Sequence, residues 1–179
     1  MHVSATLASW SQTPTWRDCG PGGRDVIANA LVDTIGVTIA AALAPEAPAI
    51  LDLVRRLGLT GNEASLWGTG DALSAPGAAL ANGTLSHLMD FDDTHYLIHG
   101  HPSAVLFPAL LAIAEARSLS GEAVLTGYLA GIGAMAATSR IFGPDHYTRG
   151  WHSTAATGSI GAAVGTATAL GLPLGDSHG

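Results

Sequence analysis

The sequence runs to 179 residues, with seven basic against fourteen acidic side chains, 47% hydrophobic and 6% aromatic content, and 23 glycines. That length holds one domain with a sizeable core, and a formal charge of −7 excludes the basic footprint of a nucleic-acid binder. All seven basic residues are arginines, so this chain alone offers no lysine for a Schiff base or an ammonium proton donor.

Met1 to Trp10 has no basic stretch ahead of an apolar run, so a secretory signal is not expected and the cytoplasm is. Cys19, the single cysteine, excludes an internal disulfide and cysteine-based zinc clusters, and reads as an inert thiol. From Arg24 to Leu43 the residues Ile27, Leu31, Ile35, Ile39 and Leu43 recur at every fourth position, which predicts an amphipathic helix with that row inward. Pro45 and Pro48 close it and open a shorter helix, with Ile50, Leu51, Val54 and Leu57 inward and Gly58 as its stop. Ala64 to Trp67 is apolar but too short to choose between strand and irregular connection.

A third helix is expected from about Pro76 to Asp90, and a fourth from Pro102, with Pro108 kinking it or delaying its start. Ser120-Gly121-Glu122 reads as an N-cap with an acidic first turn, launching a fifth helix through Met135. Gly143-Pro144 marks the loop from Ile141 to Gly150. A last helix spans His152 to Leu170, terminated by Gly171 and Pro173. Ser153 to Leu174 is uncharged over a bilayer-spanning length, yet it is built from Ala, Gly, Ser and Thr without basic flanks or an aromatic belt. A buried helix fits better, and Gly161 to Gly165 gives it the small-residue spacing of a close helix pair. The expected architecture is all-α, an orthogonal or bundled array of about six helices over residues 1–179. It ends at Gly175 to Gly179 with nothing to cover its apolar faces, as a portion of a larger protein would.

The chemistry concentrates between Asp90 and Ser103, where three carboxylates and three imidazoles fall in a chain that is only 12% charged. If the preceding helix reached Thr94, then His87, Asp90 and Thr94 would share one face, with Asp92 and Asp93 left to cap or solvate the turn. His101 stands just before a proline-started helix, where free N–H groups and the dipole attract anions and an imidazole can move protons. His152 repeats that arrangement, Ser103 lies beside His101, and Arg149 offers a guanidinium to a carboxylate. Asp90, Asp92, His95, His99 and His101 include metal-ligand types, but their spacing matches no helix-borne metal pattern, so no metal is expected. No phosphate loop, no Gly-x-Gly-x-x-Gly after a strand, no strand-borne nucleophile elbow and no Cys-x-x-Cys is read in the sequence.

Asn82-Gly83, His87, Met89-Asp90-Phe91-Asp92-Asp93-Thr94, His101-Pro102-Ser103, Gly127-Tyr128 and Gly150-Trp151-His152, continuing through Gly158 to Ala163, together resemble the MmgE/PrpD family over nearly the whole chain. The resemblance implies a helical domain carrying most of an active site, a separate α+β lid that this chain lacks, homodimerisation, and cofactor-free, metal-free catalysis on small di- or tricarboxylates. It puts Asp90, Thr94, His101 and His152 on active-site positions, with His101 or His152 as acid-base groups and lysines supplied from later sequence. The expectation is a dehydratase acting on an acid such as 2-methylcitrate. Decarboxylation, epimerisation, or a non-catalytic subunit paired with a separate C-terminal half are the alternatives. Leu129 stands where many relatives carry an acid, and His95 with His99 enriches the loop beyond the common pattern.

Overall fold

A computed structural model describes residues 9–10 and 15–172, so the readings that fall on residues 1–8 and 173–179, the Pro173 stop among them, lie outside the described residues. Within them run six α-helices: α1 (Pro21–Ala41), α2 (Ala47–Arg56), α3 (Ala75–His87), α4 (Pro102–Arg117), α5 (Gly121–Phe142) and α6 (Ser153–Ala169). A two-residue hairpin, β1 (Ala64–Ser65) antiparallel to β2 (Ala72–Leu73), sits between α2 and α3 and resolves the undecided apolar piece as a strand. The fold is thus all-α apart from that hairpin. No helix of the described residues is long and apolar enough to cross a membrane.

Two buried clusters hold the array. One gathers Ala41, Val54, Leu66, Leu73 and Leu85 from the α1 end, α2, the hairpin and α3. The other gathers Leu106, Phe107, Leu110, Tyr128 and Met135 from α4 and α5. Asn82 ties hairpin to helix: its Oδ1 accepts from Trp67 N–H at 3.0 Å and its Nδ2 donates to Ser65 C=O at 3.0 Å.

Helix α1 corrects the row predicted from its large aliphatics. It buries Ile27, Thr34, Thr38 and Ala41, while Leu43 is 85% exposed. The reason is angular: a strict every-fourth row drifts by about 40° per step, so it winds off any one face, whereas mixed spacings of three, four and seven stay on it. The buried threonines are tolerated because Thr34 Oγ1 donates to Ala30 C=O at 2.7 Å and Thr38 Oγ1 to Thr34 C=O at 2.6 Å. In α2 Val54 is buried, but Leu57, expected inside, is 57% exposed.

Pro108 neither delays α4 nor ends it. A proline at this position cannot donate to the carbonyl four residues earlier, and Ser86 Oγ reaches that Ala104 oxygen at 3.4 Å from α3. Close approach also sets the α5–α6 pair. A Cβ on Gly165 would lie 2.8 Å from Gly127 C=O, and one on Gly161 would lie 2.4 Å from Met135 Cγ.

Candidate active site

Helix α3 stops at His87, and Asp90 takes a left-handed backbone with φ 55°. The helical alignment of His87, Asp90 and Thr94 therefore does not form. Instead the chain folds into a loop closed by His95 N–H donating to Gly100 C=O at 3.0 Å, with Ile98 and His99 N–H both donating to His95 C=O. The fully buried Ile98 side chain anchors it, and Ser139 Oγ of α5 donates to the Ile98 carbonyl at 3.3 Å. His101 N–H then donates to Thr154 Oγ1 at 3.0 Å, fastening the loop to the first turn of α6.

Asp92, expected to cap or solvate the turn, is the correction that matters most. Its side chain is sealed from water, and both its oxygens accept from His87 Nδ1, at 3.0 and 3.1 Å. His101 Nδ1 lies 3.3 Å from Asp92 Oδ2, near but outside hydrogen-bond alignment, while His101 Nε2 lies 3.6 Å from Oδ1 of the 78% exposed Asp90. The His87 ring centroid is 4.4 Å from that of His101 and 6.1 Å from that of His152. Two imidazoles thus flank one buried carboxyl group, and the third, His152, stands beyond the His87 ring.

Asp93 works elsewhere. It accepts from Ser103 N–H at 3.2 Å and from Ser103 Oγ at 2.5 Å, and Ser103 Oγ also meets Tyr128 OH at 2.8 Å. Burial pushes the Asp93 carboxyl above the usual carboxylate range; the Ser103 donors oppose this, and the Asp92 and Asp33 charges add to it. Burial likewise pushes the Tyr128 phenol up to about 12, against the Ser103 hydrogen bond and with help from Asp93. Ser103, expected to contact substrate, is fully buried in this network and does not line the cleft.

Thr94, His101 and His152 line one cleft of about 590 Å³, shared with His95, His99, His146, Tyr147, Ser139 and Thr154. Among the described residues no Asp, Glu, Arg or Lys lines it. Arg149 stands exposed outside that lining, and Asp90 touches the site through His101 Nε2. His152 is the N-cap of α6: its Nδ1 accepts from Ala155 N–H at 3.4 Å, which leaves Nε2 as the nitrogen free to carry the exchangeable proton. An apolar groove of about 790 Å³, lined by Leu80, Leu88, Val105 and Ala109, lies behind, and His152 and Thr154 belong to both walls.

One ligand atom from each of His87, Asp90, Asp92 and His101 falls within 4.8 Å of the others, so this set, rather than one containing His95 and His99, could hold a cation. His87 Nδ1 is, however, already committed to Asp92. Sequence reasoning missed the His87 to Asp92 tie and the arrival of His146 from the Gly143-Pro144 loop. The histidine five residues before Asp92, straddling a helix end, was the available signal for the first.

Residues 5–175 match the MmgE/PrpD N-terminal domain. The chain is 34% identical over 109 residues to the cis-aconitate decarboxylase-like protein oryM of Aspergillus oryzae, covering 56% of this chain and 23% of that protein. It is 33% identical over 114 residues to the cis-aconitate decarboxylase of Homo sapiens, covering 60% of this chain and 24% of that protein. The chain thus spans about a quarter of the length of these curated relatives.

Proposed function

The chain belongs to the MmgE/PrpD family through its N-terminal domain, and from that premise we propose that it supplies the acid-base half of a lyase acting on small di- or tricarboxylates. The observation that carries the reading is the meeting of His101, His152 and Thr94, from two helix starts and the loop ahead of α4, on one cleft whose described lining holds no carboxylate, with Asp90 just outside it at His101 Nε2. Helix N-termini at α4 and α6 favour substrate carboxylates there.

In a dehydration, one imidazole takes the proton from the carbon next to a carboxylate. The carbon–hydrogen pair becomes the new double bond, the carbon–oxygen bond breaks with its pair on oxygen, and a second group protonates the departing hydroxide to water. His101, steadied by Asp90 at Nε2 and by Asp92 behind it, and His152, with Nδ1 held by its own helix, are the pair we assign to these transfers. Thr94 orients the substrate hydroxyl. Substrates of the 2-methylcitrate type fit this chemistry.

Decarboxylation is the second reading, favoured by the names of both relatives. There the bond to carbon dioxide breaks, its electron pair forms a new double bond to the neighbouring carbon, the existing double bond's pair shifts to the far carbon, and an imidazole protonates that carbon. Lysines, a lid and a second copy of the protein, contributed from outside these residues, complete the site in this proposal. The test is His152→Ala in the full protein, incubated with 2-methylcitrate, citrate, cis-aconitate and iminodisuccinate while alkene absorbance and carbon dioxide are followed. Turnover should fall by about 10²- to 10⁴-fold, and unchanged turnover would refute the assignment.

A further inference from the structure

His87, Asp90, Asp92 and His101 form a chelating set as well as a frame for His101. One ligand atom from each lies within 4.8 Å of the other three, the one such gathering among the described residues. The nearest pairs are closer: His87 Nδ1 is 3.0 Å from Asp92 Oδ1, His101 Nδ1 is 3.3 Å from Asp92 Oδ2, and His101 Nε2 is 3.6 Å from Asp90 Oδ1. Ligands about 2.0–2.2 Å from a tetrahedral Zn²⁺ stand about 3.3–3.6 Å from one another. These separations already approach those of side chains sharing one ion.

A second observation points the same way. His101 Nδ1 is shielded from water and makes no hydrogen bond, although a sealed carboxylate oxygen of Asp92 lies 3.3 Å away. A ring nitrogen and a carboxylate oxygen that meet with no proton aligned between them turn lone pairs on one another, and a cation that accepts from both removes the conflict. The proton on His87 Nδ1 is no bar, because an imidazole can carry it at Nε2 and leave Nδ1 to a metal. We infer that His87, Asp90, Asp92 and His101 form a Zn²⁺ site, with the 78% exposed Asp90 on its open side. Two imidazoles among the ligands favour Zn²⁺ over Mg²⁺ and Ca²⁺, which take oxygen ligands. A bound ion immobilises the His101 ring and withdraws it from proton transfer, so Zn²⁺ acts here as an inhibitor. That consequence rests on the lyase reading; the site itself does not.

The test is calorimetric titration of the metal-stripped full protein with Zn²⁺, in wild type, His87→Gln, Asp92→Asn and His99→Gln. The wild type should bind the ion, and His87→Gln and Asp92→Asn should each weaken binding by at least about 10- to 100-fold, the loss that even outer-shell changes cause. His99→Gln, in the cleft but outside the cluster, should leave it in place. No Zn²⁺ bound, or an affinity that His87→Gln and Asp92→Asn do not change, overturns the site and leaves the lyase reading standing. Should those variants fail to fold, ring-nitrogen NMR of the wild type decides: Zn²⁺ should shift His87 and His101 and leave His99 unmoved, and the reverse pattern refutes the site. Wild-type turnover should fall as the ion binds; binding at the cluster with turnover unchanged would uphold the site and refute His101 as a proton carrier.

Discussion

Asp92 meets no arginine or lysine among the described residues; its neighbours are the imidazoles of His87 and His101. Asp92→Ala strands His87 Nδ1 in a half-buried position and should cost about 1–3 kcal/mol of stability, read as a lower denaturant midpoint; an unmoved midpoint would contradict the geometry. Tyr128 makes a prediction in alkali. Its phenol is raised from 10.0 to about 12, so the folded state keeps a proton that the unfolded state releases first. Stability is therefore full below pH 10 and is lost as pH rises towards 12, by roughly 2–3 kcal/mol. Denaturation at stepped pH, compared with Tyr128→Phe, should show that slope only in the wild type. That His101 and His152 stand at helix starts was legible, the first from Pro102 and the second from the small-residue run that follows it. Among the acids, Asp92 could not be ranked from spacing, since the helix that would have set their directions stops at His87.

Helix pairs in this fold depend on what is missing from their glycines. Gly165→Ala would drive a methyl group against Gly127 C=O and should destabilise by about 1–3 kcal/mol. Gly36→Ala, on an open stretch of α1 with nothing near its added carbon, should stabilise by about 0.4–1 kcal/mol. Opposite signs in thermal melts are the expected result, and equal shifts would defeat the packing argument. The glycine spacing of α6 could be read directly from sequence because close backbone approach demands small residues. The inward face of α1 could not, because its buried positions are threonines whose hydroxyls are satisfied by their own helix. Hydrophobic counting gives such residues no weight.

Across the whole molecule, helix number and order were legible from caps, prolines and glycines, while the loops that build the cleft were not, because their shape comes from backbone bonds between residues of no distinctive pattern. The outer face of α1 carries Val26 and Val32, with Leu43 just past its end, and Val32 is 71% exposed, which is apolar surface beyond what isolated residues need. The chain at micromolar concentration should therefore self-associate in light scattering, and Val32→Glu should shift it toward monomer; a monomeric wild type would count against this. The polar cleft and the apolar groove meet at the first turn of α6, where His152 and Thr154 face both. A hydrogen bond from His101 N–H to Thr154 Oγ1 fixes the alignment of that turn. A group seated in the groove would touch the same turn that presents His152 to the cleft, so filling the apolar side is expected to shift His152 on the polar side.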